Sequence, residues 1–166
     1  MAGEVGEERA RIAELKSYGL LDTENEPEFD AVVREAAKLA GVPIALISLI
    51  DEHRQWFKAR VGLEARETPR AISFCTHAIQ GPDVMEVGNA LEDERVRTSP
   101  LVTGAPDIRY YAGAPLKTST GRRLGTLCVI DSRARGPMSD DTRSKLEALA
   151  ERTVALFEAR RARLAV

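Results

Sequence analysis

Alternating hydrophobic and polar positions are clearest over residues 110–131, where they predict two β-strands joined by a polar turn. In the first strand, Tyr110–Leu116, even-numbered residues share one face and odd-numbered residues share the other. The second strand, Leu124–Asp131, is mostly apolar on both faces, which is typical of a central strand. Residues 112–114 are Ala-Gly-Ala, and such small side chains leave room above the sheet for a packed neighbour or a small ligand.

A second apolar run lies earlier in the chain. Val42–Asp51 is short, almost entirely apolar and rich in isoleucine, which favours another central strand. Residues 56–61 are expected to pair back on it as a hairpin, with Phe57, Ala59 and Val61 on one face.

The region between the two hairpins is rich in loop signals. Residues 63–70 are polar and predict a loop, while Gly81 and Pro82 break the chain. Ala71–Gln80 fits both strand alternation and a helical turn, and we favour a short helix after a loop. Val84–Asn89 is interpreted as a short strand.

Helical periodicity marks both ends of the chain. A short helix is predicted over Arg9–Tyr18. A second should begin near Pro27 and end at Gly41, because proline suits the first helical turn and glycine the position after the last. Ser139 is a good N-cap for a long C-terminal helix. Residues 1–8 are expected to be disordered.

The order of these elements indicates the fold class. Strands joined by short turns predict an antiparallel sheet, and helices at both ends of the chain can cover one of its faces. This is an α+β architecture, and the 166-residue length predicts a single domain over residues 9–163.

Composition excludes several classes of protein. With 43% hydrophobic and 30% charged residues, the balance is that of a soluble globular domain. The net charge of -2 gives no broad basic surface for nucleic acid, and no apolar run approaches the roughly 20 residues of a membrane span. The acidic N-terminus lacks the apolar core of a signal peptide. Cys75 and Cys128 are too few for a disulfide scaffold, so a cytoplasmic location is expected.

Several spaced motifs in this order resemble the GAF domain family of bacterial sensory modules. The resemblance covers about residues 9–160 and rests on the following segments: Leu21–Thr23 with Glu26, Phe29 and Asp30; Asp51–Lys58 (DEHRQWFK); Phe74, Cys75, His77 and Ile79; Pro100–Pro115 (PLVTGAPDIRYYAGAP); and Gly121 with Leu124–Cys128, Ile130 and Asp131.

The resemblance implies a GAF/PAS-like fold with a central six-stranded antiparallel sheet. The N- and C-terminal helices would pack on one face, and residues 63–80 and 91–109 would cover a ligand pocket on the other. It also implies a bacterial sensor acting in signal transduction. The cyclic-nucleotide signature of one subfamily is absent from this sequence, and the cysteine contexts match neither bilin-attaching members nor free methionine sulfoxide reductases.

The covering segments and the central hairpin contain the candidate ligand-binding residues. These are Phe74, Cys75, His77, Asp93, Arg109, Tyr111 and Asp131. No catalytic residue, metal site or cofactor is identified, because the chain has no phosphate-binding glycine loop and no recognisable nucleophile–base order. The expected partner is therefore an unidentified small molecule.

Most of these residues also have a purely structural interpretation. Cys75 with His77 could form a reactive thiolate and base or part of a metal site, or could hold a loop against the sheet. Cys128 is expected in the core, with a redox pairing to Cys75 as the alternative. Arg109 could bind a carboxylate or phosphate, or form an internal salt bridge to Asp93 or Asp131.

The apolar stripes of the terminal helices predict a homodimer. Leu15, Leu149, Val154 and Phe157 would lie at or near that interface. Three hypotheses remain open: a non-catalytic sensory domain, a thiol-based redox sensor or small redox enzyme using Cys75, and a structural dimerisation module.

Overall fold

The computed structural model describes residues 2–165. Six strands form one antiparallel sheet in the order β3-β2-β1-β6-β5-β4. The strands are β1 (Ile44–Ile50), β2 (Arg54–Val61), β3 (Glu67–Pro69), β4 (Met85–Val87), β5 (Tyr110–Lys117) and β6 (Arg123–Asp131). The helices are α1 (Ala2–Ser17), α2 (Pro27–Ala40), α3 (Cys75–Ala78), α4 (Pro100–Thr103) and α5 (Asp140–Leu164), with two short 3-10 turns at Arg70–Ile72 and Ala90–Glu92.

The sequence signals for helix ends are confirmed. Gly19 and Gly41 follow α1 and α2 with φ angles of 63° and 67°, the left-handed conformation that glycine adopts without strain. The side chain of Ser139 caps α5 by accepting a hydrogen bond from the backbone N–H of Thr142. The strand order given above likewise confirms the predicted α+β fold with a six-stranded antiparallel sheet.

Helices α1, α2 and α5 pack on one face of the sheet, which we call the helix face. Phe29 of α2 and Phe157 of α5 are fully buried there, with their ring centroids 5.4 Å apart. Leu15 and Leu149 are also buried in this core, and Val154 is partly buried against it. These residues were expected near a dimer interface but pack within the chain itself. The homodimer stays a prediction, and an interface on these helices would have to use their outer surfaces.

An ion cluster is embedded at the edge of the helix face. The ammonium group of Lys58, on β2, is fully buried and donates to the carboxylate of Glu26 and to the hydroxyl of Thr23, 2.7 Å away. Arg160 of α5 reaches the same carboxylate at 2.8 Å and also donates to the carbonyl oxygen of Tyr18. The cluster thus joins β2, the α1–α2 connection and the C-terminal helix.

A bulge in β2 corrects the predicted facing of that strand. Ile47 pairs with Ala59 and the next residue, Ser48, pairs with Phe57, so Lys58 is an extra residue between them. Because of this extra residue, Ala59 lies on the helix face while Phe57 lies on the opposite face. Strict alternation had placed these two side chains together.

The small residues of β5 also differ from expectation. Ala112 and Ala114 face the helices and are buried there. On the other face, a Cβ atom at Gly113 would lie only 2.2 Å from the hydroxyl oxygen of Tyr111. The predicted room above this strand is therefore filled by helices on one side and by the Tyr111 ring on the other.

The first helix begins earlier than predicted. Helix α1 starts at Ala2, so the expected disorder of residues 1–8 is not found over residues 2–8, while Met1 lies outside the described residues. Ion pairs hold the end of this extension in place, because Glu8 contacts Arg11 and Arg70, 2.8 and 2.6 Å away. Across residues 2–165, no helix is both long and apolar enough to span a membrane.

Candidate functional site

A cavity lies on the face of the sheet opposite the helices, which we call the pocket face. Its volume is about 330 Å³. Strands β1, β2 and β6 provide its floor through Ile44, Leu46, Phe57, Cys128 and Ile130. Only Tyr111 of β5 reaches it, so the floor lies one strand away from the position that the small residues of β5 suggested.

Two irregular segments cover the cavity, as the sequence predicted. The first contributes Leu63, Glu64, Ala65, Thr68, Phe74 and Cys75, and the second contributes Leu101, Ala105, Pro106 and Ile108. Ser99 ties the two segments together, because its hydroxyl donates to the carbonyl oxygen of Ile72 at 2.8 Å and its oxygen caps α4. The cover is built from short elements, in contrast to the long helices on the opposite face.

A polar cluster lies within this apolar site. The Tyr111 hydroxyl donates to the Cys75 sulfur at 3.2 Å, and the Thr126 hydroxyl lies 3.0 Å from the same sulfur. A second chain of hydrogen bonds runs alongside. Ser48 donates to the side-chain oxygen of Gln55 at 2.8 Å, and the Gln55 amide donates to the Thr68 hydroxyl at 2.9 Å.

These contacts shift the acidity of the buried groups. Burial would raise the pKa of the Cys75 thiol, but hydrogen bonds from the surrounding thiol and hydroxyl groups outweigh burial and lower it to about 7. Burial, together with the neighbouring Cys75, raises the pKa of Tyr111 well above its usual value. The hydrogen bond with Cys75, followed by burial, raises the pKa of Cys128. Cys75 is therefore the most acidic of the three groups.

The predicted site residues divide into two groups. Phe74, Cys75 and Tyr111 line the cavity, and the rings of Phe74 and Tyr111 lie 5.1 Å apart. His77 shares α3 with Cys75, but its side chain is exposed while the thiol is buried. Among the described residues, no group of three or more histidine, cysteine or acidic side chains is arranged to hold a metal ion.

The charged candidates lie outside the cavity lining. Arg109 donates to the carbonyl oxygens of Val102 and Ile108, 2.9 and 3.0 Å away, so its guanidinium fastens the cover. Asp93 forms a two-point contact with the nearby Arg95. Asp131 pairs with Arg135 at 2.8 Å. The expected salt bridge from Arg109 to Asp93 or Asp131 is replaced by these local contacts.

Sequence reasoning missed four polar residues of the site. Ser48, Gln55 and Thr126 are buried in strands, and Thr68 lies on the short edge strand β3. Polar residues inside otherwise apolar strands were the available signal, because buried polar groups require partners and tend to lie at functional positions.

Comparisons with known proteins agree with this architecture. The sequence model of the GAF domain family matches residues 24–155. Over 152 residues the chain is 46% identical to a cyclic di-GMP phosphodiesterase of Pseudomonas aeruginosa, an alignment that covers 92% of this chain and 24% of that protein. The chain thus spans about a quarter of the length of this relative.

Solved structures with the same fold come from proteins of different kinds. The GAF domain of an Acinetobacter phosphoenolpyruvate-protein phosphotransferase has a TM-score of 0.68 at 18% identity, covering 98% of this chain and 96% of that one. A type II free methionine-R-sulfoxide reductase from Thermoplasma acidophilum has a TM-score of 0.64 at 12% identity, covering 80% of this chain and 91% of that one. A blue-light-absorbing GAF domain of PixJ from Thermosynechococcus elongatus has a TM-score of 0.63 at 14% identity, covering 92% of this chain and 88% of that one. At these identities the likeness concerns the fold alone.

Proposed function

The chain belongs to the GAF domain family, and from this premise we propose that it is a non-catalytic regulatory domain that binds a small organic molecule in the cavity of the pocket face. The GAF fold is a sensory and regulatory one, and the similarity to a signalling phosphodiesterase is consistent with a role in signal transduction. The ligand and the cytoplasmic location belong to the proposal.

The cavity is the observation that carries this proposal. Its volume of about 330 Å³ lies within the range of small-molecule sites, roughly 300–1,000 Å³. The lining is mostly apolar with a few convergent hydrogen-bonding groups, which is the usual composition of such sites. The short covering elements can rearrange at low cost when a ligand enters or leaves.

Strand β2 provides a physical connection from the cavity to the C-terminal helix. Phe57 lines the cavity, and the next residue, Lys58, contacts Glu26, which in turn binds Arg160 of α5. In this proposal, a ligand that displaces Phe57 shifts Lys58 and changes how α5 is held. The ligand then acts by favouring one arrangement of this cluster over another.

A variant at the mouth of the cavity tests ligand binding. Ala65 is exposed and lines the cavity, so Ala65→Trp should close the entrance without disturbing the core. Ala155→Trp, on the exposed side of α5, is the matched control. Thermal-shift and native mass-spectrometry screens of a mixed metabolite library should find compounds that bind the wild type and Ala155→Trp but not Ala65→Trp. If no compound shows this pattern, the proposal is wrong.

A thiol sensor is a second candidate, favoured by two free cysteines that both line the cavity, Cys75 from the cover and Cys128 from the floor. A peroxide would oxidise both thiols to a disulfide, losing two protons and two electrons from the protein, while the peroxide is reduced to an alcohol and water. Exposed His77 does not act as the base here. Peroxide treatment should then lower the protein mass by two hydrogens in the wild type but not in Cys128→Ser, and an unchanged wild-type mass contradicts this candidate.

A further inference from the structure

The charge of the cavity lining restricts what the cavity can bind. Among its lining residues, all within the described part of the chain, Glu64 is the only aspartate, glutamate, lysine, arginine or histidine, and it lies exposed at the mouth. The arginines on adjoining segments are engaged elsewhere: Arg60 donates to the carbonyl oxygen of Leu63, and Arg109 to those of Val102 and Ile108. A phosphate or carboxylate inside the cavity would therefore find no cation and would pass an acidic residue on entry.

The hydrogen-bonding groups of the wall leave donors available. Gln55 accepts a hydrogen bond from Ser48 and uses one amide hydrogen to donate to Thr68. The Thr68 oxygen accepts that bond, and its own hydroxyl hydrogen has no acceptor among residues 2–165. Gln55 and Thr68 both line the cavity, and an amide keeps a second N–H, so the wall can donate to an oxygen atom of a ligand.

The size of the cavity sets the size of that ligand. A protein cavity of about 150 Å³ encloses a benzene molecule. The cavity here, at about 330 Å³, is about twice as large and so has room for two fused six-membered rings. Phe57, Phe74 and Tyr111 supply aromatic surfaces against which such rings can pack.

We infer that the cavity takes an uncharged, largely apolar compound of about two rings that carries an acceptor oxygen, bound by Thr68 and Gln55. The inference rests on the proposed function and specifies its ligand class. It sets this domain apart from one that binds a nucleotide, because phosphate recognition uses charged donors such as arginine, and the lining offers none.

Three matched probes test the ligand class by isothermal titration calorimetry or ligand-observed NMR. They are tetralin, which has no polar group; α-tetralone, which adds a carbonyl oxygen; and tetralin carboxylate, which adds an anion. We expect α-tetralone to bind about 3- to 10-fold more tightly than tetralin, the effect of one additional hydrogen bond. Tetralin carboxylate should bind at least about 10-fold more weakly than α-tetralone, because an unpaired buried charge is costly.

Two variants assign the binding to this wall. Thr68→Val removes the hydroxyl at nearly constant volume and should abolish the advantage of α-tetralone over tetralin, with tetralin itself serving as the check that the site is intact. Thr98→Val, at an exposed position, should change neither affinity. Ala65→Trp should prevent binding of both compounds.

The possible outcomes separate this inference from the proposed function. Tighter binding of tetralin carboxylate that Ala65→Trp abolishes would overturn the ligand class while leaving a ligand-binding domain. Equal affinities of tetralin and α-tetralone would overturn the acceptor oxygen of the ligand class. An advantage that survives in Thr68→Val would overturn Thr68 as its donor. Failure of all three probes to bind the wild type would also overturn the ligand class, whereas the metabolite screen with Ala65→Trp decides the proposed function independently.

Discussion

The two faces of the sheet are built in different ways. On the helix face, long helices fill the space above the strands, and a buried ion cluster joins β2 to the C-terminal helix. On the pocket face, helices of four residues and connecting loops leave a cavity of about 330 Å³. The comparison shows that the filled core and the open space lie on opposite faces, so the proposed ligand site is separated by the sheet from the larger core.

Removal of Glu26 should be among the largest effects. Glu26→Ala leaves Lys58 and Arg160 buried near each other without their shared carboxylate, and we expect a loss of about 3–5 kcal/mol in the free energy of unfolding. Glu35→Ala is the control, since the Glu35–Arg152 pair also joins α2 to α5 but is half exposed, and its loss should cost at most about 1 kcal/mol. Urea denaturation measures both. Equal losses would show that burial of the cluster has no special role.

A matched pair of leucines compares the packing of the two faces. Leu127 is buried on the helix face, whereas Leu46 lines the cavity, and both lie on central strands. Leu127→Ala opens a new void in filled core and should cost about 3–5 kcal/mol, while Leu46→Ala enlarges existing space and should cost about 2–3 kcal/mol. The reverse order in urea denaturation would contradict the assignment of the empty space to the pocket face.

Acid should weaken the helix face by a smaller amount. Burial raises the pKa of Glu26, but hydrogen bonds from Lys58 and Arg160 outweigh it and hold the pKa below the ordinary 4.5. The unfolded chain therefore takes up a proton at Glu26 before the folded protein does. This contribution to stability is complete above pH 4.5 and is lost as the pH falls through the lower, folded-state pKa.

The pH experiment compares the urea midpoint of the wild type with that of Glu26→Gln from about pH 7 to about pH 3. The wild-type midpoint should fall more steeply below pH 4.5, because the variant has no carboxylate to protonate at this position. The pKa of Glu8 is lowered to about 2, chiefly by its hydrogen bond with Arg11. Protonation of Glu8 in acid therefore lowers the stability of both proteins alike. Parallel curves would mean that the pKa of Glu26 is the same in the folded and unfolded states.

Local signals in the sequence were sufficient for most of the fold. The Gly41 stop, the Ser139 cap and the apolar strands each reflect chemistry contained within a few residues, and the structure agrees with them. The strand β3 is only three residues long and two of them are polar, so it has no detectable alternation, and the sequence predicts a loop there. The extent of α1 was missed because the partners of Glu8 include the distant Arg70.

The candidate site was harder to predict because side-chain partners depend on tertiary structure. Phe74 and Cys75 of the covering motif and Tyr111 of the central hairpin line the cavity, while their role in binding stays a prediction. Arg109 suggested an anion site, but folding brings backbone carbonyls within its reach, which no residue spacing reveals. Gln55 and Thr68 are direct partners across β2 and β3, and because no strand signal marks β3 in the sequence, their hydrogen bond was equally hidden.

The bulge at Lys58 has an evolutionary consequence. Phe57 pairs with Ser48 and Ala59 pairs with Ile47, and the two pairs lie on opposite faces of the sheet. Both features hold whether or not a residue stands between Phe57 and Ala59. A one-residue deletion at Lys58 would restore regular pairing without moving any neighbour to the other face, in contrast to deletions elsewhere in the strand, which would invert all residues beyond them. The Lys58–Glu26 contact thus depends on a residue that one codon can insert or remove while the neighbouring side chains keep their faces.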